Sequence, residues 1–310
     1  MKSLVQFYKN MSTCGKILLY VSLLLILVVL FNSANKKMKE RGMKEGFEHH
    51  DTFAFKQGVG VYDEFYSEIY DMLMFNQVKN EYEIGQIVNS TSPTSESIIL
   101  DIGCGTGNHV ANLNDQHINV TGLDISPDMI KQAKEKFPSL KFKVGDAMSS
   151  DTFAPNSFTH ILCLYFTIYY FPDKEKFFSN CMEWLMPGGH LVIHLVNKDK
   201  FDPILPPGNP LYIVSPQKYA KKRITQTKVK FHEFDYTSDF DLDNESGIAR
   251  FNEKFQFENG KVRKQEHKLY MEPEKDIITR ARDLGFIIQG QVDLLNCGYE
   301  YQYLYILMKP

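Results

Sequence analysis

From residue 98 onward, short apolar runs alternate with stretches whose apolar residues recur at helical spacing. Ile98–Ile102, Asn119–Leu123, Lys141–Val144, Phe158–Leu164 and His190–Val196 read as strands. Between them, helices are predicted over Asn108–Asp115, Pro127–Phe137 and Asp173–Leu185. Ser126 suits an N-cap with Pro127 at the first helical position, and Pro187-Gly188-Gly189 halts the third helix. Strands alternating with helices imply a parallel sheet covered on both faces. Upstream, Phe65, Ile69 and Leu73, then Tyr82, Ile84, Ile87 and Val88, predict two helices broken near Asn76, with Ser90–Ser97 as a loop. The pattern changes after Asn197. Residues 203–216 are Pro-rich, and residues 224–271 hold β-branched and aromatic runs with Glu258-Asn259-Gly260-Lys261 as a hairpin signal. A helix over Glu274–Leu284, ended by Gly285, and two strands near Phe286–Leu295 and Tyr301–Met308 close the chain.

The N-terminal end follows a different rule. Lys16 and Lys36 bracket 19 uncharged residues, of which Ile17–Phe31 are almost continuously apolar. As a helix, that stretch reaches ~28 Å, near the ~30 Å hydrocarbon core of a bilayer. Residues 1–35 are therefore expected to carry a single membrane-spanning anchor, with its helix at about 17–35. A cleavable leader fits less well, because 16 residues precede the run and Phe31-Asn32-Ser33-Ala34 is a poor cleavage site. Residues 36–60 read as a polar juxtamembrane linker, and residues 61–310 as the main domain.

Composition is that of an ordinary globular protein, with 43% hydrophobic and 24% charged residues, so disorder and low-complexity scaffolds are excluded. The net charge of −3 hides a split. Residues 1–45 hold eight Lys/Arg against two Glu, while the remainder holds 27 basic against 36 acidic residues. An acidic body argues against nucleic acid as a partner. Three basic residues precede the apolar run and five follow it closely, which favours a cytosolic body on a single-pass membrane protein. The five cysteines are odd in number, form no Cys-x-x-Cys pair and have no zinc spacing, so free thiols and no metal are expected.

The chemistry gathers around Gly103-Cys104-Gly105-Thr106-Gly107, directly after the first strand of the sheet. Glycines there let a ligand approach the backbone, and the following helix offers free N–H groups. The third glycine falls one position too early for the nicotinamide fingerprint, and Asp101 stands two residues before Gly103. Residues Ile98–Gly107 resemble the first motif of class I S-adenosylmethionine-dependent methyltransferases. Gly122-Leu123-Asp124-Ile125-Ser126-Pro127-Asp128-Met129, Gly145-Asp146-Ala147 and Leu185-Met186-Pro187-Gly188-Gly189-His190-Leu191 resemble that family's later motifs, in order.

The resemblance implies an α/β, Rossmann-like, doubly wound and mostly parallel seven-stranded sheet. A small antiparallel β insertion, about 203–271, would precede the last helix, and the N-terminal transmembrane helix would be added to this. It implies S-adenosylmethionine as cofactor, leaving as S-adenosylhomocysteine. Asp124 would accept from the ribose hydroxyls, and Asp146 with the Ala147 N–H would meet the adenine. Ile125 and Met129 would sandwich the base. Gly103, Cys104 and Gly105 would admit the amino-acid tail, Asp101 would face its ammonium, and Leu164 would lie beside the sulfonium.

A narrower resemblance, carried by Ser67-Glu68-Ile69-Tyr70-Asp71, Tyr82-Glu83 and His109, is to the sugar N-methyltransferase and glycine N-methyltransferase-like branch. Tyr62, Tyr66 or Tyr70 would close over the cofactor. Those sugar enzymes tend to carry Tyr-x-His after the fourth strand; here the segment is Tyr170-Phe171-Pro172, so that base is missing. No catalytic base is assigned, and Tyr165, Thr167, Tyr169 and Tyr170 are the substrate-facing candidates. The expected function is a membrane-anchored methyltransferase acting on a small molecule, such as an amine. A lipid, quinone or membrane-bound glycan acceptor is the first alternative, and a non-catalytic binding module the second. The acceptor, the membrane and the oligomeric state are not fixed by the sequence.

Overall fold

The computed structural model describes residues 53–208 and 215–310, together with Lys16. The chain divides into two compact units, Met1–His50 and Asp51–Pro310, and the second holds every element named below. The expected anchor at 17–35, and the linker up to residue 52, lie outside the described residues. Among the described residues no helix is long and apolar enough to cross a membrane.

Helices α1 (Glu64–Met74) and α2 (Gln77–Thr91) precede the central sheet, and Asn76 between them is the N-cap of α2. Then follow β2 (Ile98–Ile102), α3 (Asn108–Asp115), β3 (Asn119–Asp124), α4 (Pro127–Lys136), β4 (Lys141–Val144), β5 (Phe158–Cys163), α5 (Lys174–Trp184) and β6 (Leu185–Val196). After four strands, β7 (Gln226–Lys230), β8 (Phe234–Asp243), β9 (Ile248–Phe257) and β10 (Val262–Tyr270), the chain ends with α6 (Glu274–Asp283), β11 (Ile287–Asp293) and β12 (Gln302–Met308). The seven-stranded sheet has the order β11-β12-β6-β5-β2-β3-β4. Its pairs from β6 to β4 are parallel, while β12 runs antiparallel to both β6 and β11.

Period-two alternation explains the two cores. Ile99, Val120, Leu162 and Val192 face Ile84 and Ile87 of α2, Val110 and Leu113 of α3, and Ile130 and Ala133 of α4. Leu100, Ile161, Leu191 and Ile193 face the other way, onto Phe177, Phe178 and Trp184 of α5 and Ile277 and Ala281 of α6. Each such fully buried large apolar side chain contributes about 1.5–3 kcal/mol. This double cover fixes the strand ends, and with them the loops after β2, β3, β4 and β5.

Three features depart from the sequence reading. First, Phe53–Gln57, in the tract expected as linker, is a strand, β1. It pairs parallel to β10 and completes a second sheet, β1-β10-β9-β8-β7. The insertion is therefore antiparallel apart from a parallel edge supplied from before the main domain. Second, β6 starts at Leu185, so Pro187-Gly188-Gly189 lies within a strand and not in a turn. The Gly188 N–H donates to Lys309 O at 2.9 Å, and the Lys309 N–H to Gly189 O at 2.9 Å, extending the ladder to the C-terminus. Third, Cys163 ends β5, so Leu164 opens the following loop.

Candidate active site

The loop after β2 is shaped by its glycines. Gly107 has φ +85° as the N-cap of α3, and an added Cβ would sit 2.7 Å from the Phe142 ring. At Gly103, φ is +71° and a Cβ would fall 2.5 Å from the Thr167 side chain. Helix α1 holds this loop from outside. Asp71 accepts from Thr106 Oγ1 at 2.6 Å and from Asn108 Nδ2 at 3.0 Å.

Asp124, at the end of β3, braces the same loop. Its Oδ2 accepts from the Gly105 N–H at 2.9 Å, and its Oδ1 from the Ser126 N–H at 2.9 Å. Burial raises its pKa above the ordinary carboxylate range, against the lowering effect of these N–H donors. Asp101 is buried, and its Oδ2 has no hydrogen-bond partner among the described residues. Burial pushes its pKa up to about 6; Asp124 and Glu83 add to this, and His109 opposes it. Asp101 bounds the smaller of two cavities beside the glycine loop.

A cavity of about 630 Å³ opens at these strand ends, within the usual size of a small-molecule site. Gly103, Gly105, Asp124, Ile125, Met129, Asp146 and Ala147 line it, as do Tyr62, Tyr66, Tyr70, Tyr165, Thr167 and Tyr170. Ile125 is exposed at the wall while Met129 is buried behind it. Asp146 stands at the mouth, where its Oδ1 accepts from the Met148 N–H at 2.8 Å. A smaller cavity, about 70 Å³, is bounded by Tyr70, Asp101, Cys104, His109, Leu164 and Tyr165, with Gly103 and Gly105 shared between the two.

Two expected residues behave differently. Tyr169 does not face the cavity. It is fully buried, its hydroxyl accepts from the Val196 N–H at 2.8 Å, and it belongs to the core. Cys104 contributes backbone to the glycine loop, but its thiol packs into the sheet against Gly122, and burial pushes the thiol well above its ordinary range. His109 bonds Glu83 at 3.3 Å. Burial pushes Glu83 up, yet Lys79 and His109 outweigh it and hold the carboxyl at about 2.

The sequence reading missed one polar group. Tyr62 Oη donates to Tyr170 Oη at 2.7 Å, and Tyr170 Oη lies 2.7 Å from His267 Nδ1. His267 Nε2 lies 2.7 Å from Glu253 Oε2, which also accepts from Gln265 Nε2 at 2.6 Å. Tyr236 Oη donates to Glu253 Oε1. Burial raises the Glu253 pKa, but these donors outweigh it and leave the carboxylate ionised. The signal was present in Arg263, Gln265 and His267, three polar residues at period two that share the buried face of β10. Because β10 is polar on both faces, hydrophobic alternation does not reveal which face is inside.

Comparison with known proteins agrees with this geometry. A family profile described as a methyltransferase domain matches residues 99–189. Residues 99–189 thus carry a methyltransferase domain. Among curated relatives, the chain is 31% identical over 150 residues to dTDP-4-amino-2,3,4,6-tetradeoxy-D-glucose N,N-dimethyltransferase of Saccharopolyspora spinosa, covering 46% of this chain and 58% of that one. It is 25% identical over 140 residues to dTDP-3-amino-3,4,6-trideoxy-alpha-D-glucopyranose N,N-dimethyltransferase of Streptomyces venezuelae, covering 43% and 58%. The chain thus spans a little over half the length of these curated relatives. The solved CcbJ methyltransferase of Streptomyces caelestis superposes with a TM-score of 0.61 at 15% identity, over 81% of this chain and 98% of that one, which is a likeness of fold.

Proposed function

We propose that this protein transfers a methyl group from S-adenosylmethionine to the amine of a small molecule, an amino sugar being the favoured class. The observation that carries the reading is Asp101 Oδ2. It is a buried acceptor without a partner among the described residues, beside Gly103 and Gly105, on the strand next to the one that ends at Asp124. The cofactor's amino-acid tail offers an ammonium for Asp101, and its ribose diol suits Asp124. Its adenine suits the space between Ile125 and Met129, with Asp146 and Ala147 at the edge. When bound, it supplies an already activated methyl group. The chain's own residues then align the acceptor and exclude water, which suits a cavity walled by Tyr62, Tyr66, Tyr70 and Tyr170.

The amino-sugar class is suggested by the names of the two curated relatives. The direct test is transfer of labelled methyl from S-adenosylmethionine to a panel of amino-sugar nucleotides, simple amines and lipid extracts. Labelling of an amino-sugar nucleotide supports the reading, and labelling confined to lipids or quinones moves the acceptor to that class. We infer further that the protein is membrane-anchored through Ile17–Phe31 with this domain on the cytosolic side, a reading supported by the apolar run and its basic flanks.

A further inference from the structure

We propose that His267 is the proton acceptor of the reaction, reached from the acceptor nitrogen through the hydroxyls of Tyr62 and Tyr170 and balanced by Glu253. The insertion sheet would then supply the base that the loop after β5 lacks. The inference rests on the amine methyltransferase reading above.

The hydrogen bonds run in one direction. Glu253 is ionised and can only accept, so the hydrogen on His267 Nε2 is fixed toward it. That leaves the Nδ1 lone pair to accept from Tyr170, whose oxygen in turn accepts from Tyr62. The tautomer is assigned from this network. Tyr62, Tyr66, Tyr170 and His267 all line the large cavity, while Glu253 lies behind them with 2% exposure. Tyr66 Oη, buried on the same wall, has no partner among the described residues. The titratable groups facing His267 are Tyr62, Tyr66 on α1, Tyr170 from the loop after β5, and Glu253 on β9; the remaining ring neighbour is Phe251.

The other histidines near the sheet do not serve. Among the described residues lining the large cavity, His267 is the one histidine. Burial pushes His160 and His194 down to about 4, so they stay neutral inside the core. His109 is engaged with Glu83 at the smaller cavity.

A free amine arrives largely as ammonium at neutral pH, with no lone pair for attack. It must shed a proton before the reaction. The N–C bond then forms as the C–S bond breaks, the sulfur keeps the electron pair, and the positive charge passes to nitrogen. The proton shed by the ammonium before attack moves to the first tyrosine hydroxyl as that hydroxyl hands on its own, and the chain of transfers ends at His267 Nδ1, while the methylated product keeps its remaining proton and leaves as an ammonium. The imidazolium stands against the Glu253 carboxylate, and its proton returns to solvent when the product leaves. Burial raises both tyrosines above their ordinary range, so each passes a proton on without storing the phenolate.

A purely structural pin between the insertion and α1 would show the same bonds, so the test separates the two. In His267→Gln, the amide oxygen can still accept from Tyr170 and the amide nitrogen can still donate to Glu253, so the pin survives while proton uptake is lost. The measurements are S-adenosylmethionine affinity by calorimetry and single-turnover methyl transfer from pH 6 to 9.5. The full chain is used, with the dTDP-linked amino sugar named for the Saccharopolyspora relative as probe. The expected result is an unchanged affinity and a rate lowered about 100-fold at pH 7. The deficit should shrink to under about tenfold at pH 9.5, where free amine forms in solution. A rate within about twofold of the parent at pH 7, or the same deficit at every pH, would overturn the proposal. If the parent leaves the probe unmethylated, the acceptor reading fails, and nitrogen NMR of the histidines with S-adenosylmethionine bound still decides the relay. At pH 8, His267 must carry hydrogen on Nε2 and none on Nδ1. Hydrogen on Nδ1 at that pH overturns it.

Discussion

Asp101 is stabilised poorly by its own protein. Its folded pKa of about 6 lies above the ordinary carboxylate value, so folding favours the protonated form. That contribution is complete below about pH 4 and is lost as the pH rises through about 6, a cost of about 3 kcal/mol for the ionised group at neutral pH. Asp101→Asn should therefore raise the unfolding midpoint of the ligand-free protein by several degrees at pH 8, and by only about half as much at pH 5, midway between the unfolded and folded values. S-adenosylmethionine affinity should fall in the same variant, because the ammonium loses its counter-charge. Thermal melts at both pH values with and without cofactor check both halves, and unchanged melts at pH 8 would show that the carboxylate is not strained. The places of Asp101 and Asp124 near the ends of neighbouring strands were legible in the sequence because those strands follow from periodicity. Tyr169 was misread because one residue of rotation in a short turn decides between cavity and core. His267 was not legible, since its role comes from Glu253 on the neighbouring strand and Tyr170 nearly a hundred residues away.

Among the elements, α1 matters most, because it joins the glycine loop to the insertion. Asp63 caps α1 by accepting from the Tyr66 N–H at 3.3 Å, and it takes Arg263 Nη1 on both oxygens at 2.9 and 2.8 Å. Arg263 is buried, donates also to Val61 O at 3.0 Å and lies over the Phe65 ring. Asp63→Ala removes the partner of a buried guanidinium and should cost about 3 kcal/mol in chemical unfolding. A loss under about 1 kcal/mol would show that solvent replaces the carboxylate. Gly107→Ala should cost about 2 kcal/mol from its left-handed backbone and the clash with Phe142, read by the same titration. The core strands and helices followed from periodicity, which reports burial directly. β1 did not, because Phe53 and Phe55 point outward at about half exposure while Ala54 and Lys56 face the partly buried side. Its pattern therefore looks like polar linker, and only the pairing with β10 makes it a strand.

At the scale of the whole molecule, one catalytic body is expected to hang from one membrane segment. The full chain should pellet with membranes and be released by detergent but not by high salt, while deletion of residues 1–45 should leave the domain in the soluble fraction. Fractionation with both forms checks this, and a full chain that is soluble without detergent would remove the anchor from the account. The balance beyond position 45, 36 acidic against 27 basic residues, suits the sulfonium and ammonium of the proposed cofactor. The measurement that tests the central claim most directly is a calorimetric titration of S-adenosylmethionine into the parent protein and into Asp124→Ala. The account predicts one site per chain in the parent and an affinity at least about 100-fold weaker in the variant, equivalent to about 2.7 kcal/mol for two lost hydrogen bonds to a buried carboxylate. No heat of binding in the parent, or equal affinity in the two proteins, would contradict it.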